Sequence, residues 1–268
     1  MIRTLLIIAG AAFVLALATL GGAAAIGGRD LANHGWAWTL HDKDGDSVRF
    51  ERENGARQPE VTKTLAWNGG TSLILDLSAD VIYVQGAQAG VVITGPKDIV
   101  DRVRVEGSRI FMAEGDHGER VTFGWDSNGP TGRADSELLR IVVTAPSVTD
   151  FDLRGSQDLD IRDYAQDTLN IDISGSGDVT ANGKARTLTL DINGSGEADL
   201  ASGEAVDETV DISGSGDARV APTGKADLRI SGSGDISLAT RPASLTQNVS
   251  GSGDVDQECH RASFSLRG

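Results

Sequence analysis

A chain of 268 residues is long enough to bury one or two apolar cores. Its formal net charge of −15 argues against a nucleic-acid partner, because phosphate recognition needs clustered Lys and Arg. A single cysteine excludes an intramolecular disulfide, and 34 glycines against 6 prolines fit a turn-rich β protein better than a disordered one.

Arg3 precedes an uncharged run over residues 4–28, and Ala23-Ala24-Ala25 offers an A-x-A-like cleavage site. Residues 1–28 read as a signal peptide or, because the run is longer than a usual signal core, as a retained membrane anchor through residues 4–28. Both readings export the remainder, to the periplasm or cell surface; the anchor would hold it at the inner membrane.

Residues 29–62 read as a polar linker. The run Asp42-Lys43-Asp44-Gly45-Asp46 resembles the start of a calcium loop, with Glu53 at the twelfth position. Its glycine falls at the fourth place instead of the sixth, so a solvated linker is the favoured reading. The domain proper is expected over 63–268, opening with less regular strands. Leu73-Ile74-Leu75 and Val81-Ile82-Tyr83 are expected to pair, with more strands at Val91-Val92-Ile93, Ile110-Phe111 and Ile141-Val142-Val143. A loop rich in Gly, Asp and Asn is expected over 114–135.

Over residues 149–256 the chain becomes periodic. Gly-Ser-Gly followed by an acid recurs at Gly175-Ser176-Gly177-Asp178, Gly194-Ser195-Gly196-Glu197, Gly214-Ser215-Gly216-Asp217, Gly232-Ser233-Gly234-Asp235 and Gly251-Ser252-Gly253-Asp254. Gly155-Ser156-Gln157-Asp158 is a degenerate copy one period earlier, and successive first glycines lie 18 to 20 residues apart. Such a period marks a solenoid whose repeats bury their apolar faces on one another. Apolar residues alternate before each motif, as in Ile171 and Ile173, and after it, as in Val179 and Ala181. Period-two alternation means strands with one buried face. The fold expected is therefore all-β: a single-stranded, parallel β-helix-like solenoid with turns of about 19 residues and the glycines at its corners. The tail from 257 to 268 should cover the far end, with Phe264 and Leu266 as plugs.

Val81-Ile82-Tyr83-Val84-Gln85-Gly86 with Val91-Val92-Ile93, the Pro146 turn and the serial Gly-Ser-Gly-Asp turns resemble the head GIN domain family of bacterial autotransporter adhesins. The resemblance runs from about Val61 to the C-terminus. It implies a β-helical fold, export and an adhesin-like role, and it supplies no catalytic residues.

The acids that follow each motif should stack into a column: Asp158, Asp178, Glu197, Asp217, Asp235 and Asp254. Carboxylates about 5 Å apart repel, so the column either stays hydrated or recruits cations such as calcium. One carboxylate per turn is few for an ion that takes six to eight oxygens, and bonding of each Asp to backbone amides in its own turn is favoured. The serines are expected to form a hydroxyl ladder, and none has the base a nucleophile needs. A polysaccharide lyase or hydrolase on the same scaffold carries less weight. His34, His41, His117 and His260 all lie outside the repeats, Cys259-His260 lacks a third group, and aromatic residues make up 4% of the chain. The sequence thus favours an exported, non-enzymatic module without a cofactor, binding an envelope protein or glycan.

Overall fold

The computed structural model describes residues 37–41, 47–52, 59–113, 119–126, 129–134 and 138–258, the strands within 37–52 and 119–134 by their backbone alone. The chain divides into two units: Met1–Ala56 with His117–Arg133, and Arg57–Asp116 with Ala134–Gly268. Residues 1–36, including the expected signal or anchor segment, lie outside the described residues, as does the calcium-loop-like run at 42–46.

The smaller unit is a four-stranded sheet. Ala37–His41 and Ser47–Arg52 form an antiparallel pair, Ser47–Arg52 runs parallel to Glu119–Asp126, and Gly129–Ala134 completes the order. These strands occupy spans expected as linker and loop. A period-two signal was present, in Val48 and Phe50 and again in Val121, Phe123 and Trp125, but charged and glycine residues diluted it.

The larger unit is a solenoid in which each coil gives one strand to each of two facing sheets. The front sheet stacks Ser72–Asp76, Asp150–Gly155, Thr168–Gly175, Thr187–Gly194, Asp207–Gly214, Lys225–Gly232 and Ser244–Gly251, all in parallel. The back sheet stacks Asp80–Gln85, Asp158–Ala165, Asp178–Lys184, Glu197–Asp199, Asp217–Val220, Ile236–Leu238 and Val255–Gln257 in the same way. Each Gly-Ser-Gly carries the chain from front to back. The segments at Leu73 and Val81, expected to pair with each other, instead lie in opposite sheets, because Ser78-Ala79 between them is a corner and not a hairpin.

Alternation decides what is buried. Ile171 and Ile173, Leu190 and Ile192, Val210 and Ile212, Leu228 and Ile230 point inward from the front sheet. Val179 and Ala181, Ala198 and Leu200, Ala218 and Val220, Ile236 and Leu238 meet them from the back. Because register is fixed by the buried face, a one-residue slip would expose a whole strand's apolar set.

At the N-terminal end antiparallel strands close the stack. Arg140–Ala145 continues the back sheet in parallel beside Asp80–Gln85, then pairs antiparallel with Gly90–Pro96, which pairs antiparallel with Glu60–Leu65. On the front, Arg109–Met112 lies beside Ser72–Asp76 and is followed by antiparallel Val103–Glu106. A one-turn helix, α1 (Lys97–Val100), buries Ile99 and Val100 there. Phe264 and Leu266, expected to plug the other end, lie outside the described residues.

Candidate functional site

The repeated motif builds one corner, stacked coil upon coil. Its first glycines have φ between 133° at Gly251 and 144° at Gly194, with Gly175, Gly214 and Gly232 between these values, a region that L side chains avoid. A Cβ on Gly194 would lie 2.2 Å from the carbonyl oxygen of Gly175. The second glycines are stacked as closely: a Cβ on Gly177 would come 2.7 Å from the Gln157 carbonyl oxygen, and one on Gly196, Gly216, Gly234 or Gly253 between 2.0 and 2.6 Å from a glycine oxygen. The corner is tied by serine amides, each donating to the first glycine of the coil before: Ser195 N to Gly175 O at 2.9 Å and Ser215 N to Gly194 O at 2.8 Å. The ladder expected of the serine hydroxyls is thus carried by the backbone. The first corner is looser, with the nearest backbone 3.9 Å from a Cβ on Gly155. That room admits Gln157, which is fully buried and donates from Nε2 to Leu75 O at 3.0 Å.

The acids after the corner fall into register as a file on the back sheet: Asp158 beside Asp178, Asp178 beside Glu197, Glu197 beside Asp217. The file continues through Asp235 and Asp254. Each carboxylate is exposed, and several accept from the amide of the next acid along the file. Glu197 N donates to Asp178 Oδ1 at 3.2 Å, Asp235 N to Asp217 Oδ1 at 2.9 Å, and Asp254 N to Asp235 Oδ1 at 2.8 Å. The amides engaged therefore belong to the following coil, where the sequence suggested the acid's own turn. Asp80 also belongs to the file, beside Asp158, and Arg140 sits next to it at the start. The sequence hid Asp80 because Leu77-Ser78-Ala79 replaces Gly-Ser-Gly before it. Partial loss of solvent around it, then the charges of Asp178 and Asp80, raise the Asp158 carboxyl above its ordinary range.

A second file lies on the outer face of the front sheet. Asp152, Asp172, Asp191 and Asp211 are in register and end against Arg229. Asn170, Thr189 and Thr209 run beside them in the column two residues before. Burial, followed by Asp172 and Asp211, raises the Asp191 carboxyl. The signal was legible as an Asp between two apolar residues ahead of the corners at Gly155, Gly175, Gly194 and Gly214, and it was overshadowed by the glycine motif.

Among the described residues no three His, Cys, Asp or Glu side chains gather where they could hold a metal ion. With one carboxylate per coil and backbone amides already engaged, the file can hold itself together without calcium. Melting in millimolar calcium and in chelator is expected to coincide within about 1 °C, since only a ligand bound well below its concentration shifts the midpoint. A rise of several degrees in calcium would show that the file binds it. His34, His117, Cys259 and His260 lie outside the described residues. Among the described residues no helix is long and apolar enough to cross a membrane.

The family described as "Putative auto-transporter adhesin, head GIN domain" matches residues 71–260. The crystal structure of a putative adhesin from Bacteroides fragilis is similar, with a TM-score of 0.57 at 18% identity over 75% of this chain and 98% of that one. A second, of a putative adhesin from Parabacteroides distasonis, gives a TM-score of 0.51 at 15% identity over 78% and 99%. No curated protein matches the sequence.

Proposed function

We propose that this chain, which belongs to the head GIN domain family of auto-transporter adhesins, is an exported, non-enzymatic binding or scaffolding module of the bacterial cell envelope. The observation that carries the reading is the outer face of the front sheet. Strands of up to eight residues, from Asp150–Gly155 to Ser244–Gly251, stay in register without a bulge, so outward side chains form straight columns at a repeat of about 4.8 Å. A ruled surface suits an extended partner with its own repeat, as in other solenoids. Asn170, Thr189 and Thr209 offer donors and acceptors, and the aspartate file adds acceptors on one line. That chemistry fits the hydroxyls and amides of an envelope glycan, or a strand-like stretch of an envelope protein. Export rests on the segment at residues 4–28.

The test is a binding screen of the whole exported chain against purified envelope glycans and detergent-solubilised envelope proteins. Thr189→Arg/Thr209→Arg, which fills the face with long side chains and leaves the core untouched, is the control. We expect retention of a ligand by the native protein and a loss of about tenfold or more in the variant. Binding that ignores the variant would remove the front face from the proposal, and no retention from any fraction would remove the binding role. Fractionation with N-terminal sequencing of the native protein tests export.

A further inference from the structure

In the last outward column before the corner, one coil departs from its neighbours. The registered positions are Arg154, Ser174, Asn193, Ser213, Ser231 and Ser250, so serine is the rule and Asn193 breaks it. Two other asparagines of the coils serve the stack. Asn170 donates from Nδ2 to Asp150 Oδ1 at 2.9 Å, and Asn182 Oδ1 accepts from Asp163 N at 3.1 Å. Asn193 is exposed, and its side-chain amide has no hydrogen-bond partner among the described residues. The stack gains nothing from an amide at a place that Ser174 and Ser213 fill on either side.

The residues around Asn193 give its amide a different use. Asp191-Ile192-Asn193-Gly194-Ser195 sets an asparagine two residues ahead of a serine with no proline between, the acceptor pattern for an N-linked sugar. In an extended chain successive side chains alternate, so Asp191, Asn193 and Ser195 share one side. An enzyme that grips that side meets a carboxylate, an amide and a hydroxyl in line. The coils on either side lack only the amide: Asp172-Ile173-Ser174-Gly175-Ser176 and Asp211-Ile212-Ser213-Gly214-Ser215 carry serine at the middle place. Asn248-Val249-Ser250 has the amide and the hydroxyl, but Thr246 stands where the acid would be.

We propose that Asn193 is a glycosylation site, loaded during export by an oligosaccharyltransferase from a lipid-linked oligosaccharide diphosphate. The inference rests on the export proposed above. Nδ2 of Asn193 bonds to the anomeric carbon of the oligosaccharide's first sugar, and the bond from that carbon to the diphosphate oxygen breaks. The lipid diphosphate leaves, and a base of the transferase takes the proton that Nδ2 loses. Ser195 supplies the hydroxyl contact, and Asp191 the charge contact that separates Asn193 from Asn248. Transfer precedes closure of the corner, because in the stacked coil Ser195 N is held to Gly175 O at 2.9 Å. The folded coil has room for the sugar: Asn193 points outward, and Ser174 and Ser213 beside it are small and exposed. Thr189 lies four residues back on the same strand, roughly 13 Å away at a rise of roughly 3.3 Å per residue, so the sugar stands at the margin of the front face.

Intact mass and peptide mapping of the full chain, purified from the envelope of the cells that make it, test the site. We expect a mass step of whole sugar residues on the peptide holding Asn193 and none on the peptide holding Asn248. Asn193→Ser restores the repeat and is expected to remove the step completely. Asp191→Asn, and Ser195→Ala, which retains the backbone amide at 195, are each expected to lower occupancy about tenfold or more. Ser213→Asn writes the same five residues into the next coil and is expected to add a second step; its failure to do so would overturn the five-residue signal. An exported chain with Asn193 bare would overturn the proposal and leave export standing, whereas an unmodified chain found only in the cytoplasm would overturn both. A mass step that survives Asn193→Ser would move the sugar to another residue. Equal loading of Asn248 would overturn the part given to Asp191.

Discussion

Replacing Gly214 by alanine is expected to cost about 3–5 kcal/mol of folding free energy, whereas replacing its neighbour Ser215 by alanine should change stability by less than about 0.5 kcal/mol. The two residues share one corner, and the difference comes from where their side chains would go. Gly214 has φ 135°, a region that costs a residue with a Cβ on the order of 1–3 kcal/mol. The added Cβ would also sit 2.3 Å from the Gly194 carbonyl oxygen, well inside contact distance. That oxygen cannot retreat freely, because it accepts from Ser215 N at 2.8 Å and its coil is held in register by Thr187–Gly194 against Asp207–Gly214. Relief requires opening the corner and losing ladder bonds worth roughly 1 kcal/mol each. Ser215, by contrast, is exposed and contributes through its amide, which alanine retains. Urea unfolding of the two variants decides the matter. A loss under about 1 kcal/mol for Gly214→Ala would mean that the corner yields and that the glycines are not required by stacking.

The contrast shows how much of this molecule the sequence made legible. The repeats carry their own strand signal, since apolar residues alternate on both sides of a recurring corner. Fold, turn length and core followed from that. The corner glycines were legible for the same reason, as backbone stacking leaves room for nothing else. The carboxylate file was legible except for Asp80, whose coil lacks the glycine motif but keeps the corner. The front-face aspartates needed the second sheet to be seen as a surface. The four-stranded sheet of Ala37–His41, Ser47–Arg52, Glu119–Asp126 and Gly129–Ala134 was missed because its two local pairs are joined only by the pairing of Ser47–Arg52 with Glu119–Asp126, across a long stretch of sequence. A charged strand of six residues says little until its partner is known. Glu208 was missed because it breaks the pattern: it occupies an inward position between Leu188 and Ala226.

That residue makes the fold's stability depend on pH, in the direction opposite to a salt-bridged carboxylate. Glu208 is 4% exposed, and its Oε2 is buried without a hydrogen-bond partner. Burial raises its carboxyl from the ordinary 4.5 to about 8, with a backbone hydrogen bond from Ala221 pulling the other way. The folded protein therefore keeps Glu208 protonated at pH values where the unfolded chain has ionised it. Below about pH 4.5 both states hold the proton and Glu208 adds no slope. As pH rises from there to about 8 the unfolded state is favoured by roughly 1.4 kcal/mol per unit, and above 8 the loss levels off on the order of 4–5 kcal/mol. Glu208→Gln and Glu208→Leu remove the titration. Leucine also continues the apolar column from Leu188, though it leaves the Ala221 amide unpaired. Both variants are expected to melt above the native protein at pH 9 and to lose most of the decline between pH 5 and 8. A shallower fall in the same sense should persist, because Asp158 and Asp191 are also raised by burial and by their neighbouring acids. Denaturant midpoints measured from pH 4 to 9 on the three proteins are the check. A native profile that climbs through this range, or variants that retain its full slope, would place the titrating group elsewhere.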